Sequence, residues 1–163
     1  MMINGKEHDY VVHDANNVKG FFGEYRFLSN FHVCPVYFEG VCYPSTENAF
    51  MAAKTLDLEQ RIAFETIEPK EAKALGRKIA LRADWENVKY DVMAAVNFDK
   101  YYRNLDVREK LVATGDRLLE ETNHWGDTTW GADPSGNGEN NLGKILMNIR
   151  SFWQNHRNKR IYG

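Results

Sequence analysis

Glu47 and Lys54 are the side chains whose type and spacing most suggest chemistry. They sit within Tyr43-Pro44-Ser45-Thr46-Glu47-Asn48-Ala49-Phe50-Met51-Ala52-Ala53-Lys54. The pattern predicts a helix that starts abruptly after Pro44, with Ser45 as N-cap and Thr46, Glu47 and Asn48 in the first turn. Phe50 and Met51 on one side, and Ala49, Ala52 and Ala53 on the other, make it apolar nearly all round, as buried helices are. Seven residues is roughly two turns, so Glu47 and Lys54 both project to the Phe50/Met51 side, about 10 Å apart along the axis. Buried charges are costly unless paired or used. A carboxylate can move protons and stabilise positive charge, and an amine whose pKa burial depresses can act as a nucleophile. The same spacing admits a structural reading. Glu47 complements the positive end of the helix dipole, and Lys54 can lie at the helix end with its ammonium reaching water.

A second segment with chemical potential is the loop from Gly126 to Asn141, Gly-Asp-Thr-Thr-Trp-Gly-Ala-Asp-Pro-Ser-Gly-Asn-Gly-Glu-Asn-Asn. Loops this long inside compact domains are functional or disordered, and Trp125 and Trp130 argue for order. Glycines leading into a helix can present N–H groups to an anion, or can serve only the turn. Gly138 to Lys144 fits the first seven positions of a P-loop, but Ile145 stands where a metal-binding hydroxyl is required, so a nucleotide-hydrolase reading is rejected. Asp127 suits a turn former or, beside a ligand, an acid, a base or a partner for sugar hydroxyls. Trp85 reads as core or as a stacking platform. Arg26, in an aromatic-rich stretch, is a candidate for pairing a phosphate. Arg77-Lys78 and Arg157 to Arg160 read as solvated surface. No Ser/His/Asp or Cys/His signature stands out.

The elements that must position these residues follow from pattern. The chain has 163 residues, 43% hydrophobic and 13% aromatic, with net charge −2. That suits one domain with a real core and argues against a strongly basic nucleic-acid binder. A strand is expected at 10–12 and a hairpin at 33–38 and 41–43 turning on Glu39-Gly40. Helices are expected from Asp57 to Thr66, Pro69 to Leu81, Trp85 to about Tyr102, Asp106 to Val112 and Leu142 to Trp153, with a strand at 118–122. Trp85, Val88, Val92 and Val96 form one core stripe, and Leu142, Ile145, Leu146 and Ile149 another. The basic tail from His156 to Arg160 is expected to fray. The fold class is α+β, a single compact domain over residues 1–163 with a small, mostly antiparallel sheet surrounded by helices. Two cysteines, Cys34 and Cys42, make no disulfide framework, and no signal peptide or membrane span is seen, so the expected compartment is the cytoplasm. Five scattered histidines show no metal-ligand spacing, and no cofactor is expected.

Taken together, several motifs resemble the NADAR superfamily of YbiA-like proteins. They are Phe27-Leu28-Ser29-Asn30-Phe31, the Tyr43–Lys54 segment, Asp84-Trp85 with Met93, Thr114-Gly115, Asp127 with Trp130-Gly131, and Gly138 through Arg150. They keep the family's order over roughly residues 20–152. The chain departs at Asn48, where many members have His, and at Met51, where many have Gln, so substrate preference is expected to differ there.

The resemblance implies cleavage of N-glycosidic bonds in ribose-containing compounds, either early riboflavin-pathway intermediates or ADP-ribosylated guanine in DNA. It implies catalytic roles for Glu47, Lys54 and Asp127. It implies substrate binding by Arg26, Ser29, Asn30, Phe31, Tyr43, Trp85, Trp130, Gly131, Gly138, Asn141 and Gly143, with no metal. In this reading Trp85 and Trp130 stack on the base, and helix N–H groups near Asn141, with Arg26, take the phosphate. Lys54 offers a Schiff-base route at an opened C1′. The expected partner is a ribose-phosphate or ADP-ribose compound, or ADP-ribosylated DNA. The rival reading is a non-catalytic module that binds ADP-ribose or NAD, which would need neither Glu47 nor Lys54.

Overall fold

The computed structural model describes the backbone of residues 1–162 and the side chains of residues 1–156. The side chains of Arg157 to Arg160 lie outside the described residues. The chain forms two compact units, one of residues 1–29 with 108–163 and one of residues 30–107. It is an α+β protein, as its sequence pattern predicts.

The unit of residues 30–107 is built on a hairpin, β5 (Val33–Phe38) and β6 (Val41–Ser45). Glu39 and Gly40 turn it with φ of 48° and 82°, the left-handed pair that matches strand twist. The register shifts between Val33 and Val36, where Pro35 cannot donate to the ladder. Helix α1 (Thr46–Ala52) follows β6 without a loop, because Ser45 ends the strand and caps the helix, its side chain accepting from Asn48 N–H. Every residue of α1 is buried, as expected for a helix with small and apolar residues all round. Helix α2 (Leu58–Ile62) is capped by Asp57. Helix α3 (Pro69–Gly76) starts on a proline and a reciprocal Glu68/Glu71 capping box. It ends five residues before the expected Leu81. Helix α4 (Trp85–Arg103) buries Trp85, Val92, Met93 and Val96, while Val88 is only half-buried. Its N-cap residue, Asp84, does not cap with its side chain. The carboxylate instead pairs with Arg82 at 2.6 and 3.0 Å. Helices α1, α3 and α4 all pack against one another or the hairpin around α1.

Helix α5 (Leu105–Ala113) begins one residue before Asp106, so that residue lies in the first turn rather than at the cap.

The unit of residues 1–29 and 108–163 holds two small sheets. Strands β1 (Met2–Ile3) and β2 (Lys6–Glu7) form an antiparallel pair. Strand β3 (Val12–His13) pairs antiparallel with β4 (Asn17–Lys19), which pairs parallel with β7 (Leu118–Glu120). The strand expected at 10–12 thus starts later, and the three strand pairings other than β4–β7 are antiparallel. A 3₁₀ helix spans Gly23–Leu28. Helix α6 (Asn141–Tyr162) extends beyond the expected Trp153 and lies on β7, burying Leu142, Leu146 and Ile149. Among the described residues, no helix is long and apolar enough to cross a membrane.

Candidate active site

The unit of residues 30–107 carries Glu47 and Lys54. Glu47 is 6% exposed in the first turn of α1, and its N–H donates to Asn30 C=O at 3.0 Å. Lys54 is not a second-turn residue of the same helix. α1 closes at Ala53, and the Lys54 and Thr55 N–H groups bond back three residues, to Met51 and Ala52 carbonyls. This tightened end carries Lys54 off the helix. The segment between α3 and α4 then holds it, Arg82 N–H donating to Lys54 C=O at 2.8 Å. The two side chains nonetheless meet electrostatically. Burial pushes the Lys54 ammonium below the usual lysine value, the Glu47 carboxylate opposes that shift, and the Arg77 guanidinium adds to it. The half-buried Lys54 forms no ion pair among the described residues.

Several other candidate residues share this unit with Glu47. Phe50 and Trp85 are buried with ring centroids 5.1 Å apart, so Trp85 shares its contacts with the core of α1. Phe31 is half-buried with the Lys73 ammonium 5.7 Å from its ring centroid. The Asn30 side chain turns inward: its Nδ2 donates to Met93 Sδ at 3.4 Å, and its Oδ1 accepts from Asn97 at 3.3 Å. Its contribution to Glu47 is therefore its backbone carbonyl. Tyr43 Oη and Thr46 Oγ1 are buried with no hydrogen-bond partner among the described residues. Thr46, next to Glu47, was not singled out by sequence; only its position in the first turn could have drawn attention.

Asn48 and Met51 are committed to the fold. The Asn48 amide donates to Phe64 and Ile67 carbonyls at 2.9 and 2.8 Å and accepts from Ser45 Oγ at 2.6 Å. Met51 lies against Gly76, where any Cβ would collide with its sulfur. Neither side chain is exposed, so both anchor α1 to α3 and the segment before it.

The second candidate cluster belongs to the other unit and is described by itself. Asp127 Oδ1 accepts from Thr129 and Trp130 N–H at 3.2 and 2.9 Å, while Asn123 brackets the Asp127 backbone. It thus shapes the loop that holds Trp130 half-buried. The N–H groups of Asn141 and Leu142 donate to Thr129 and Trp130 carbonyls, and Asn141 Nδ2 also donates to Thr129 C=O at 2.8 Å. These donors at the start of α6 are spent within the loop. Gly131, Gly138 and Gly143 sit where a Cβ would meet backbone: Glu121 C=O, Gly131 C=O and Leu119 C=O respectively. Close approach explains these glycines. Arg26 is exposed and Ser29 half-buried at the end of the 3₁₀ helix. Among the described residues, no cluster of three His, Cys, Asp or Glu side chains could hold a metal ion.

Comparison with known proteins gives the family. The NADAR domain model matches residues 16–153, and this chain belongs to that family. A riboflavin biosynthesis protein of Vibrio vulnificus is 35% identical over 133 residues, covering 80% of this chain and 36% of that protein. The chain therefore spans about a third of that relative's length. N-glycosidase YbiA of Escherichia coli is 34% identical over 131 residues, covering 78% of this chain and 81% of its own. The solution structure of E. coli YbiA matches with a TM-score of 0.78 at 29% identity, over 91% of each chain.

Proposed function

We propose that this chain is a hydrolase of N-glycosyl bonds that cleaves the C1′–N bond of a small ribose-phosphate compound. The observation that carries the reading is Glu47, a buried carboxylate whose charge acts on Lys54, an amine that burial moves toward its neutral form. The relatives named N-glycosidase and riboflavin biosynthesis protein support the reaction and favour an intermediate of that pathway over ADP-ribosylated DNA.

Hydrolysis requires departure of an amine while positive charge builds at C1′. As a carboxylate, Glu47 stabilises that charge and relays the proton released by the attacking nucleophile to the leaving nitrogen. Lys54 opens a covalent route. In the ring-opened sugar, its neutral Nζ adds to C1′, the C1′–N bond to the leaving amine breaks, and a lysine Schiff base forms. Water then adds to C1′, the Nζ–C1′ bond breaks, and the free sugar aldehyde leaves with Lys54 regenerated. Trp85, in this account, shapes the wall behind Phe50.

A product assay tests the reading. Incubation with a 5-phosphoribosylamino-pyrimidine should give the free amine and ribose 5-phosphate by mass spectrometry. Binding of ADP-ribose in calorimetry, with no product from any N-riboside, would make the chain a binding module instead.

A further inference from the structure

Asn97 is fully buried on α4, a polar side chain on a helix that otherwise buries Val92, Met93 and Val96 nearby. Its Nδ2 donates to Asn30 Oδ1 at 3.3 Å, to Met93 C=O at 3.1 Å and to Met93 Sδ at 3.3 Å. Asn30 Nδ2 donates to the same sulfur at 3.4 Å. Two amides thus clasp one thioether and tie Asn30 to α4. Asn30 in turn presents its main-chain carbonyl to the Glu47 N–H at 3.0 Å. That N–H is one of the four that a helix start leaves without a partner inside the helix. Ser45 satisfies the N–H of Asn48, and Asn30 satisfies that of Glu47. A path of hydrogen bonds therefore leads from α4 through Asn30 to the main chain of Glu47.

This arrangement is a poor source of stability. A thioether is a weak acceptor. Asn97 Oδ1 is buried with no hydrogen-bond partner among the described residues, and an unsatisfied buried acceptor carries its full desolvation cost. A leucine of similar volume would fill the site without that cost. What the amide supplies and leucine cannot is a fixed place for Asn30. We propose that Asn97 is a positioning residue for the Glu47 carboxylate, acting through Asn30 to fix the first turn of α1 against α4. The proposal rests on the reading of Glu47 as the group that drives cleavage. Such a carboxylate must be held to within about 0.5 Å of its productive position. Ser45 anchors the start of α1 at the end of the hairpin, and Asn30 adds a second anchor that restrains the turn from pivoting about its cap.

The test compares the wild type with Asn97→Leu, Asn30→Ala, the double variant and Val96→Ala on a 5-phosphoribosylamino-pyrimidine. Asn97→Leu should melt no lower than the wild type yet lose about tenfold in kcat, with KM within about twofold. Asn30→Ala keeps the carbonyl without the side chain and should lose a similar factor, and the double variant should lose no more than either single one. Asn30→Ala also reads the same link should Asn97→Leu fail to fold. Val96→Ala, a buried neighbour on α4, should melt lower and leave kcat within about twofold. By NMR hydrogen exchange, the Glu47 amide should exchange about tenfold faster in Asn97→Leu than in the wild type. Unchanged kcat or unchanged Glu47 exchange in Asn97→Leu, additive losses in the double variant, or an equal kcat loss in Val96→Ala would overturn the proposal. If no N-riboside is hydrolysed while Glu47 exchange follows Asn97, the hydrolase reading fails and the anchor stands. If hydrolysis falls with Glu47→Gln but ignores Asn97, the reverse holds.

Discussion

Removing Lys54 from water favours the neutral amine, and burial and two charged groups set how far. Burial is the largest influence, Glu47 holds the proton on, and Arg77 pushes it off. The deprotonated amine is the nucleophile, so activity through Lys54 rises with pH, with an acid limb below the usual lysine value. Replacing Arg77 by Met removes the like charge, raises the Lys54 pKa and should move that limb to higher pH in a kcat/KM profile. A limb that does not move would place Lys54 outside the rate-determining protonation. Borohydride added during turnover should trap a sugar adduct on Lys54. Turnover without an adduct, with Lys54→Arg fully active, would remove the covalent route.

At the scale of elements, α1 is held by contacts that its own sequence only half reveals. Asn48 shows this best. Its amide satisfies two carbonyls in the segment ahead of α3, so Asn48→Leu leaves Phe64 and Ile67 C=O without their donor. The expected cost is about 2 to 4 kcal/mol in urea denaturation, because buried groups lose their bonds outright. A cost below about 0.5 kcal/mol would show that these bonds are not structural. Gly76→Ala should destabilise by about 1 to 3 kcal/mol through overpacking on Met51. The second substitution Met51→Ala should recover part of that loss, since it removes the colliding sulfur.

These elements also mark what sequence could reveal. Helix starts were readable because Ser45, Asp57, Pro69 and Asp84 advertise them locally. The hairpin was readable from Glu39-Gly40. Helix ends were not: nothing in the spacing of Lys54 says that α1 closes at Ala53, or that Gly76 stops α3 against Met51. Both are tertiary contacts. The role of Asn30 was likewise obscured, because its carbonyl rather than its amide meets Glu47. Motif order points to Glu47 as a candidate, whereas the glycine loop before α6 reads as an anion cradle although two of its N–H donors are spent on Thr129 and Trp130 carbonyls.

Across the whole molecule, the family model covers residues from both compact units, and the solution structure of E. coli YbiA matches 91% of the chain. Stability carries a cost that the proposed reaction does not use. Lys100 is fully buried on α4, and burial lowers its pKa to about 8, with the Cys34 thiol acting weakly against the shift. The folded state thus holds fewer protons than the unfolded state between about pH 8 and 10.5. The burial penalty is full below about pH 8 and fades as pH rises through that window. Lys100→Met should therefore stabilise the protein at pH 7, by about 1 to 3 kcal/mol. The difference between variant and wild type should shrink toward pH 10.5. Taking that difference matters, because burial raises the Cys34 and Tyr101 pKa values and makes them act in the opposite direction at alkaline pH. A difference that stays constant over the window would assign Lys100 no titration in it. The central claim is that Glu47 drives cleavage of a ribosyl C1′–N bond, and release of ribose 5-phosphate by Glu47→Gln, followed by mass spectrometry beside the wild type, tests it most directly. The account predicts a loss of at least about 10²-fold with the fold intact; release within about threefold of the wild type would contradict it.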